Sequence, residues 1–209
     1  MTSHTLLSVL VGQPEPTPAK AGMTGHFKTP VSAAKVDTPG LSGDHIMDLE
    51  NHGGVDQAVY IFGEVDRVWW AQELGRDVSP GYFGENLLIS DLETGALACG
   101  DQFRIGDVLL EITSPRIPCA TYAAHIGSGQ AIKQFYASRR PGAYARVLET
   151  GTLKPGQDVV ITPYAGDRVT MAELLRHRLT NYRDDAFVAR FRDIPIHQEL
   201  RQMAADRQA

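Results

Sequence analysis

Cys119 has both a residue type and a setting that could do chemistry. It ends the run Pro115-Arg116-Ile117-Pro118-Cys119, in which each proline fixes φ and removes a backbone donor, so the thiol is held in a defined place. A neighbouring arginine can lower a thiol pKa and favour the thiolate, the form that acts as nucleophile or metal ligand. Free cysteine is also among the most buried residue types. From these residues alone, a reactive thiol and a small buried side chain both remain open.

A glycine pair marks a second candidate segment. Gly53 and Gly54 follow His52 in the stretch NHGGVDQAVY, just before a strand-like run. Paired glycines adopt positive φ readily and let the backbone come close to a ligand. Taken alone, the pair more often indicates a tight turn into a strand.

Two strand-like segments add polar side chains. Asn86 lies in GYFGENLLI before an apolar run, and its amide can both donate and accept hydrogen bonds. Tyr144 and Arg146 are two residues apart, so they share one face of a strand, and that face would suit an anionic group. A turn-forming asparagine and an exposed strand face explain the same residues without a function.

Other common chemistries lack their motifs. The sequence contains no Gly-x-Gly-x-x-Gly run and no GK[ST] phosphate loop. It contains no HExxH and no CxxC pair, which argues against a zinc site. It also lacks the GxSxG elbow of serine hydrolases. A net charge of −5 does not suggest nucleic acid as a partner.

The composition predicts a soluble globular protein, and the lack of an export signal predicts the cytoplasm. Of 209 residues, 43% are hydrophobic and 22% charged, as in ordinary globular proteins. No apolar run is long enough to span a membrane. The apolar stretch Leu6–Val11 lacks a basic region before it, which favours a strand over a signal peptide. Cys99 and Cys119 could form only one disulfide, which the cytoplasm disfavours.

The hydrophobic pattern predicts a mainly β chain with inserted helices. Short apolar runs are separated by turn residues, which is typical of a β-barrel-like core. The predicted strands are Leu6–Val11, Val31–Val36, Ala58–Ile61, Leu87–Ile89, Gln102–Ile105, Val108–Thr113, Tyr144–Glu149 and Asp158–Thr162. Helical spacing predicts two inserted helices, Glu64–Leu74 and Gln130–Ser138.

The pattern changes near residue 167. Thr170 and Glu173 form a capping box, and two further segments show helical apolar spacing. We therefore expect a β-barrel domain over residues 1–167 and a three-helix appendage over residues 168–209.

Taken in order, several segments resemble the MOSC domain, which is named after the C-terminal domain of molybdenum cofactor sulfurases. The matching segments are GLSGDH, NHGGVDQAVY, GYFGENL, GDQFRIGDVLLEITSPRIPC and GAYARVLETG. The resemblance covers about residues 5 to 165. The length and the helical tail are most similar to the YiiM-like branch of that family. One motif would be weak, but five in order are specific.

The resemblance implies a MOSC-type β-barrel that binds the molybdenum cofactor, a pterin with a dithiolene and a phosphate. The cysteine of the family's PR-x-PC motif ligates molybdenum in active members, and it matches Cys119 as metal ligand and catalytic residue. The positions expected to contact the cofactor are Lys28, Thr29, His45, His52, Gly53, Gly54, Asn86, Arg116, Tyr144 and Arg146. Binding of pyridoxal phosphate is a further property associated with the family.

The chain departs from the family pattern at one position. Where many members have Gly-Asp-Arg, it has Gly43-Asp44-His45. Histidine is mostly neutral near pH 7, so His45 would replace an arginine only in part.

The resemblance implies reduction of N-hydroxylated compounds such as 6-N-hydroxylaminopurine to amines. Two alternatives stay open: a carrier of molybdenum cofactor, or of sulfur as a Cys119 persulfide, and a cofactor-free thiol enzyme that pairs Cys119 with His52 or His125. No flavin or iron–sulfur motif is present, so we expect electrons to come from a separate reductase. The sequence leaves the oligomeric state open.

Overall fold

A computed structural model of the chain describes residues 4–17, 22–47 and 52–207. The strands are β1 (His4–Gly12), β2 (Glu15–Pro16), β3 (Met23–Thr24), β4 (Lys28–Val31), β5 (Ala34–Asp37), β6 (Gly40–Leu41), β7 (Val59–Gly63), β8 (Leu87–Ile89), β9 (Gln102–Ile105), β10 (Val108–Ser114), β11 (Ala143–Glu149), β12 (Gly151–Leu153) and β13 (Asp158–Thr162). The helices are α1 (Glu64–Leu74), α2 (Ala120–Ile126), α3 (Ala131–Ser138), α4 (Met171–Arg178), α5 (Asp185–Ala189) and α6 (Gln198–Asp206).

Seven strands in the described part of the chain close into a barrel. Their order is β13, β9, β10, β11, β7, β8 and β1, and pairing of β1 with β13 completes the ring. The pairs are antiparallel except β7 with β8, which is parallel. Strand β4 pairs with β1 as an eighth, external strand. The predicted fold class, a β-barrel with inserted and C-terminal helices, is confirmed.

Strand β7 shows how the barrel supports the inserted helices. Side chains alternate between the two faces of a strand. Val59 and Ile61 belong to the cluster that fills the barrel, whereas Tyr60 and Phe62 belong to a second, aromatic cluster. That second cluster includes Trp70 of α1 and residues of α2 and α3. β7 is therefore buried on both faces and joins the two hydrophobic clusters.

Local patterns predicted many boundaries correctly, but they missed the short strands β2, β3, β6 and β12 and made two larger errors. The predicted strand Val31–Val36 was wrong, because β4 pairs with β1 while β5 pairs with β12, and the chain changes partners between them. Helix α2, which begins directly after Cys119, was not predicted. It is only seven residues long and ends at Gly127, whose φ is 70°.

The C-terminal helices pack on the barrel. The capping box of Thr170 and Glu173 begins α4, and the side chain of Asp184 caps α5. Buried tail side chains such as Phe191 and Ile196 belong to the same hydrophobic cluster as the barrel interior. The domain boundary at residue 167 stays a prediction. Within the described ranges, no helix is long and apolar enough to cross a membrane.

Candidate functional site

A cavity of about 1010 Å³ lies between the barrel and the C-terminal helices. Most of the residues that the sequence indicated come together there. Those that line it are Lys28, His45, His52, Gly53, Asn86, Arg116, Cys119 and Tyr144. Thr29, Gly54 and Arg146 are not among its lining residues.

Cys119 stands where strand β10 gives way to helix α2. The run Pro115–Pro118 connects the end of β10 at Ser114 to Cys119, which is the N-cap residue of α2. Burial raises the pKa of the Cys119 thiol, but a hydrogen bond from His52, the charge of Arg116 and the amide of Tyr122 outweigh it and lower the pKa to about 6. At neutral pH the thiol is therefore mainly thiolate.

Arg116 is buried near the thiol and has spare hydrogen-bonding capacity. It is 6% exposed, and its guanidinium lies over the Tyr60 ring, 5.1 Å from the ring centroid. Its Nη2 lies 3.3 Å from Nδ1 of His26. Because arginine only donates, His26 Nδ1 must accept and the hydrogen sits on Nε2. By hydrogen-bond geometry, Arg116 Nε and His26 Nε2 are buried donors without a partner among the described residues, although the Tyr82 backbone lies near enough to raise the pKa of His26.

His26 stays neutral in this setting. Burial lowers its pKa well below the usual value, and the charges of Arg116 and Lys28 lower it further. The position depends on Gly84, whose φ is 78°, because a Cβ there would come within 2.7 Å of His26 Nδ1. Glu85 fixes the preceding turn by accepting from the amides of Gly81 and Phe83 at 2.6 and 3.1 Å. The sequence does not single out His26, because a lone histidine forms no pattern.

Asp44 organises the opposite side of the cavity. It forms a salt bridge with Lys28 and accepts from Asn86 Nδ2 at 2.8 Å and from the Gly12 amide at 2.7 Å. The side chains of Lys28 and Asp44 are only 8% and 6% exposed. Burial lowers the pKa of Lys28 more than Asp44 raises it. Within the predicted Gly-Asp-His motif, the aspartate is thus the residue with the most contacts.

The side-chain amide of Asn86 forms its hydrogen bonds within the protein. Besides Asp44, its Nδ2 donates to the Leu10 carbonyl at 3.3 Å, and its Oδ1 accepts from the Tyr60 amide at 3.0 Å. These bonds join β1, β7 and the start of β8. Asn86 therefore fixes the cavity wall on which Lys28 and Asp44 sit.

His45 lines the cavity but directs one ring nitrogen at the backbone. Its Nδ1 lies 3.2 Å from the carbonyl oxygens of both Gly12 and Gly43. An N–H donor is required there, because both neighbours only accept. One ring nitrogen of His45 is thus occupied by the backbone.

Three predicted residues lie elsewhere. Thr29 is exposed on β4, where it pairs with Val11 of β1. Gly54 is exposed and begins a 3-10 turn with φ 79°. Arg146 forms ion pairs with Asp56 and Glu111, at 3.0 and 3.6 Å.

The two histidines considered as partners of Cys119 differ. His52 hydrogen-bonds to the thiol. His125 packs against the rings of Tyr82 and Phe27, with centroids 4.4 and 5.0 Å away, and does not line the cavity.

The C-terminal wall of the cavity was not foreseen from the sequence. It consists of Arg178, Asn181, Tyr182, His197, Glu199, Leu200 and Met203. The spacing of Leu200 and Met203 indicates a helix with an apolar face. The same sequence pattern arises whether that face packs against a core or lines a cavity.

No group of three or more histidine, cysteine or acidic side chains in the described ranges is placed to hold a metal ion. Among the residues that line the cavity, Cys119 supplies a thiol that could ligate a metal.

A family model described as the MOSC domain matches residues 48–160. The YflK protein of Bacillus subtilis (strain 168) is 32% identical over 159 residues, which cover 75% of this chain and 72% of YflK. The YiiM protein of Escherichia coli (strain K12) is 28% identical over 138 residues, 64% of this chain and 61% of YiiM.

Two further similarities concern a reductase and a fold. A Gibberella moniliformis (strain M3125 / FGSC 7600) protein named reductase is 27% identical over 150 residues, 67% of this chain but only 27% of that protein. The crystal structure of YiiM from Geobacillus stearothermophilus superposes with a TM-score of 0.79 at 23% identity, covering 99% of this chain and 100% of that one.

Proposed function

Because this chain belongs to the MOSC domain family, in its YiiM-like branch, we propose that it binds the molybdenum cofactor and reduces N-hydroxylated compounds to amines. Cys119 is the proposed molybdenum ligand. The observation that carries the proposal is a thiol with a pKa of about 6 on the wall of a cavity of about 1010 Å³. A thiolate is the soft donor that such a metal requires.

The residues of the cavity fit the cofactor in charge and in donor type. Arg116 Nε and His26 Nε2 are buried donors without partners, as expected of groups that await acceptor oxygens. Lys28 adds a second cation, held in place by Asp44. We assign Arg116, His26 and Lys28 to the anionic and polar groups of the cofactor, with Cys119 on the metal.

The cofactor, when bound, supplies the two-electron chemistry, which removes oxygen from an N–OH group and yields an amine and water with two protons. The chain supplies binding and orientation: the prolines and α2 hold Cys119, Asn86 holds the opposite wall, and the barrel and tail exclude bulk water. The electrons come from a separate reductase protein in the proposed scheme. The protein acts in the cytoplasm in this proposal, and pyridoxal phosphate binding stays a prediction.

Metal and pterin analysis tests the cofactor. Protein purified from a host that makes the molybdenum cofactor should contain both, and Cys119→Ser should lose the metal. Cys99→Ser is the matched control and should keep it. Protein without molybdenum or pterin would overturn the cofactor assignment.

A turnover assay tests the reaction. Chemically reduced holoprotein should convert 6-N-hydroxylaminopurine to adenine, and Cys119→Ser should not. Turnover with NADH and no added protein would show that the separate reductase is wrong.

One observation favours a second candidate, a carrier without turnover of its own. The hydrogen bond from His52 keeps Cys119 nucleophilic, which formation and transfer of a persulfide also require. A holoprotein that fails to reduce the hydroxylamine, yet passes cofactor or labelled persulfide sulfur to an acceptor, would favour this candidate.

A further inference from the structure

Asp56 joins the barrel to the last helix of the chain. One of its carboxylate oxygens, Oδ1, lies 3.0 Å from Nη2 of Arg146 on β11. The other, Oδ2, accepts from the backbone amide of Gln198 at 2.7 Å. Gln198 is the first residue of α6, so the carboxylate lies at the positive end of that helix.

Arg146 completes the connection from the barrel side. Its Nη2 also donates to the Ile196 carbonyl at 3.0 Å, and its Nη1 lies 3.6 Å from Glu111. The side chains of Arg146, Asp56 and Glu111 are only 20%, 14% and 13% exposed. Water therefore screens these charges less than it would at the surface.

Two further hydrogen bonds, both involving Thr113, connect the same segments. The His197 amide donates to the Thr113 carbonyl at 3.0 Å. The Thr113 hydroxyl donates to the Asp56 carbonyl at 2.5 Å. We call the whole arrangement, centred on two side chains, the Asp56–Arg146 clasp.

The clasp lies between two walls of the cavity. Four residues before Asp56 is His52, which hydrogen-bonds to Cys119. Directly after Gln198 come Glu199 and Leu200, which line the cavity from the tail. Through its bonds to the Gln198 amide and the Ile196 carbonyl, the clasp therefore joins the segment that follows His52 to the start of α6.

The geometry points to a role for Asp56 and Arg146 as positioning residues. The clasp holds the C-terminal wall against the cavity and so sets how large a molecule reaches Cys119. Neither Asp56 nor Arg146 lines the cavity. The inference concerns access to the thiol and does not depend on the cofactor or on the reaction proposed above.

Alkylation of Cys119 in the full-length, cofactor-free chain measures this access. A small reagent, N-methylmaleimide, and a bulky one, N-pyrenylmaleimide, share one chemistry and differ in size. The ratio of their rate constants reports the opening to the thiol, and a change in thiol pKa cancels from it.

Arg146→Gln and Asp56→Asn should raise the relative rate of the bulky reagent about tenfold, since each removes a charge-assisted hydrogen bond that holds the wall. The double variant should match the single ones, because both remove one clasp. Arg104→Gln is the matched control: it removes an arginine–glutamate pair on the same barrel, with Glu149, and should leave the ratio unchanged.

A backbone variant keeps the test valid if those changes unfold the protein. Proline is well tolerated at the first position of a helix, and His197 already has φ −52° and ψ 136°, which suit a residue before proline. Gln198→Pro thus removes the amide that donates to Asp56 and preserves α6. It should raise the relative rate of the bulky reagent severalfold, whereas Gln198→Ala, which retains the amide, should not. An unchanged ratio in folded Gln198→Pro and Arg146→Gln would overturn the inference.

Discussion

Cys99 and Cys119 are separated by the β9–β10 hairpin, and they meet very different surroundings. Cys99 is fully buried and donates its S–H to the Thr113 carbonyl at 3.1 Å. Cys119 is half-buried at the start of a helix and lines the cavity. The same residue type thus serves the core at one site and faces a cavity at the other.

The difference shows that neighbouring charges, and not burial alone, decide the state of a thiol. Burial raises the pKa at both sites. At Cys99 the carboxylate of Asp101 raises it further, whereas at Cys119 His52 and Arg116 reverse the effect. The proline run matters because it brings Cys119 to those neighbours.

The largest expected effect is selective alkylation. In the folded, cofactor-free protein, Cys119 should react with iodoacetamide at least about a thousandfold faster than Cys99 at pH 7, because both exposure and thiolate content favour it. Peptide mapping by mass spectrometry measures the two rates. Comparable labelling of Cys99 in folded protein would remove the distinction between the sites.

The pH dependence of that reaction sharpens the contrast. The thiolate reacts, so the rate constant should rise with pH, reach half its maximum near pH 6 and level off above about pH 7. For a thiol with its ordinary pKa, the rate constant would still be rising at pH 8. At pH 7, a pKa of about 6 implies roughly thirtyfold more thiolate than a thiol with the ordinary pKa would contain. A midpoint above 8 would contradict the assigned neighbours.

Removing His52 should raise the pKa of the Cys119 thiol, as burial and Asp101 do for Cys99. His52→Gln should raise the alkylation midpoint by about one unit, a loss of roughly tenfold in rate at pH 5.5. His125→Gln is the control, since His125 contacts aromatic rings and not the thiol. If both variants behaved as the wild type, Arg116 and the helix amide alone would account for the low pKa.

The smallest expected effect concerns stability, and here Cys99 matters more than Cys119. Cys99→Ala should lower the free energy of unfolding by about 1–2 kcal/mol, because it leaves a cavity and a buried carbonyl with one donor fewer. Cys119→Ser should change it by less than about 0.5 kcal/mol. Urea unfolding followed by circular dichroism measures both. A larger cost at Cys119 would mean that its thiol also supports the fold.

Local patterns predicted the elements better than their contacts. The bounds of β8, β9, β13 and α1 follow from apolar spacing and flanking turns, which are local. The division into β4 and β5 depends on two different partner strands, and no local pattern carries that information.

In the site, too, contacts between distant segments could not be predicted from local patterns. Cys119 and Arg116 lie in one rigid run, so their proximity could be predicted from the sequence. Tyr144 and Arg146 share a strand face as expected, yet only Tyr144 lines the cavity. The acidic partners of Arg146, Asp56 and Glu111, come from distant segments. Their approach depends on barrel closure and on where the tail docks.

The C-terminal wall has a consequence for how the range of molecules that enter the cavity can change. The family model ends at residue 160, whereas the cavity extends to Met203. The thiol thus lies within the residues that the family model matches, whereas the wall that faces it lies beyond them. Exchange of residues 168–207 between related chains would change which molecules enter, while the barrel and its cysteine are inherited intact.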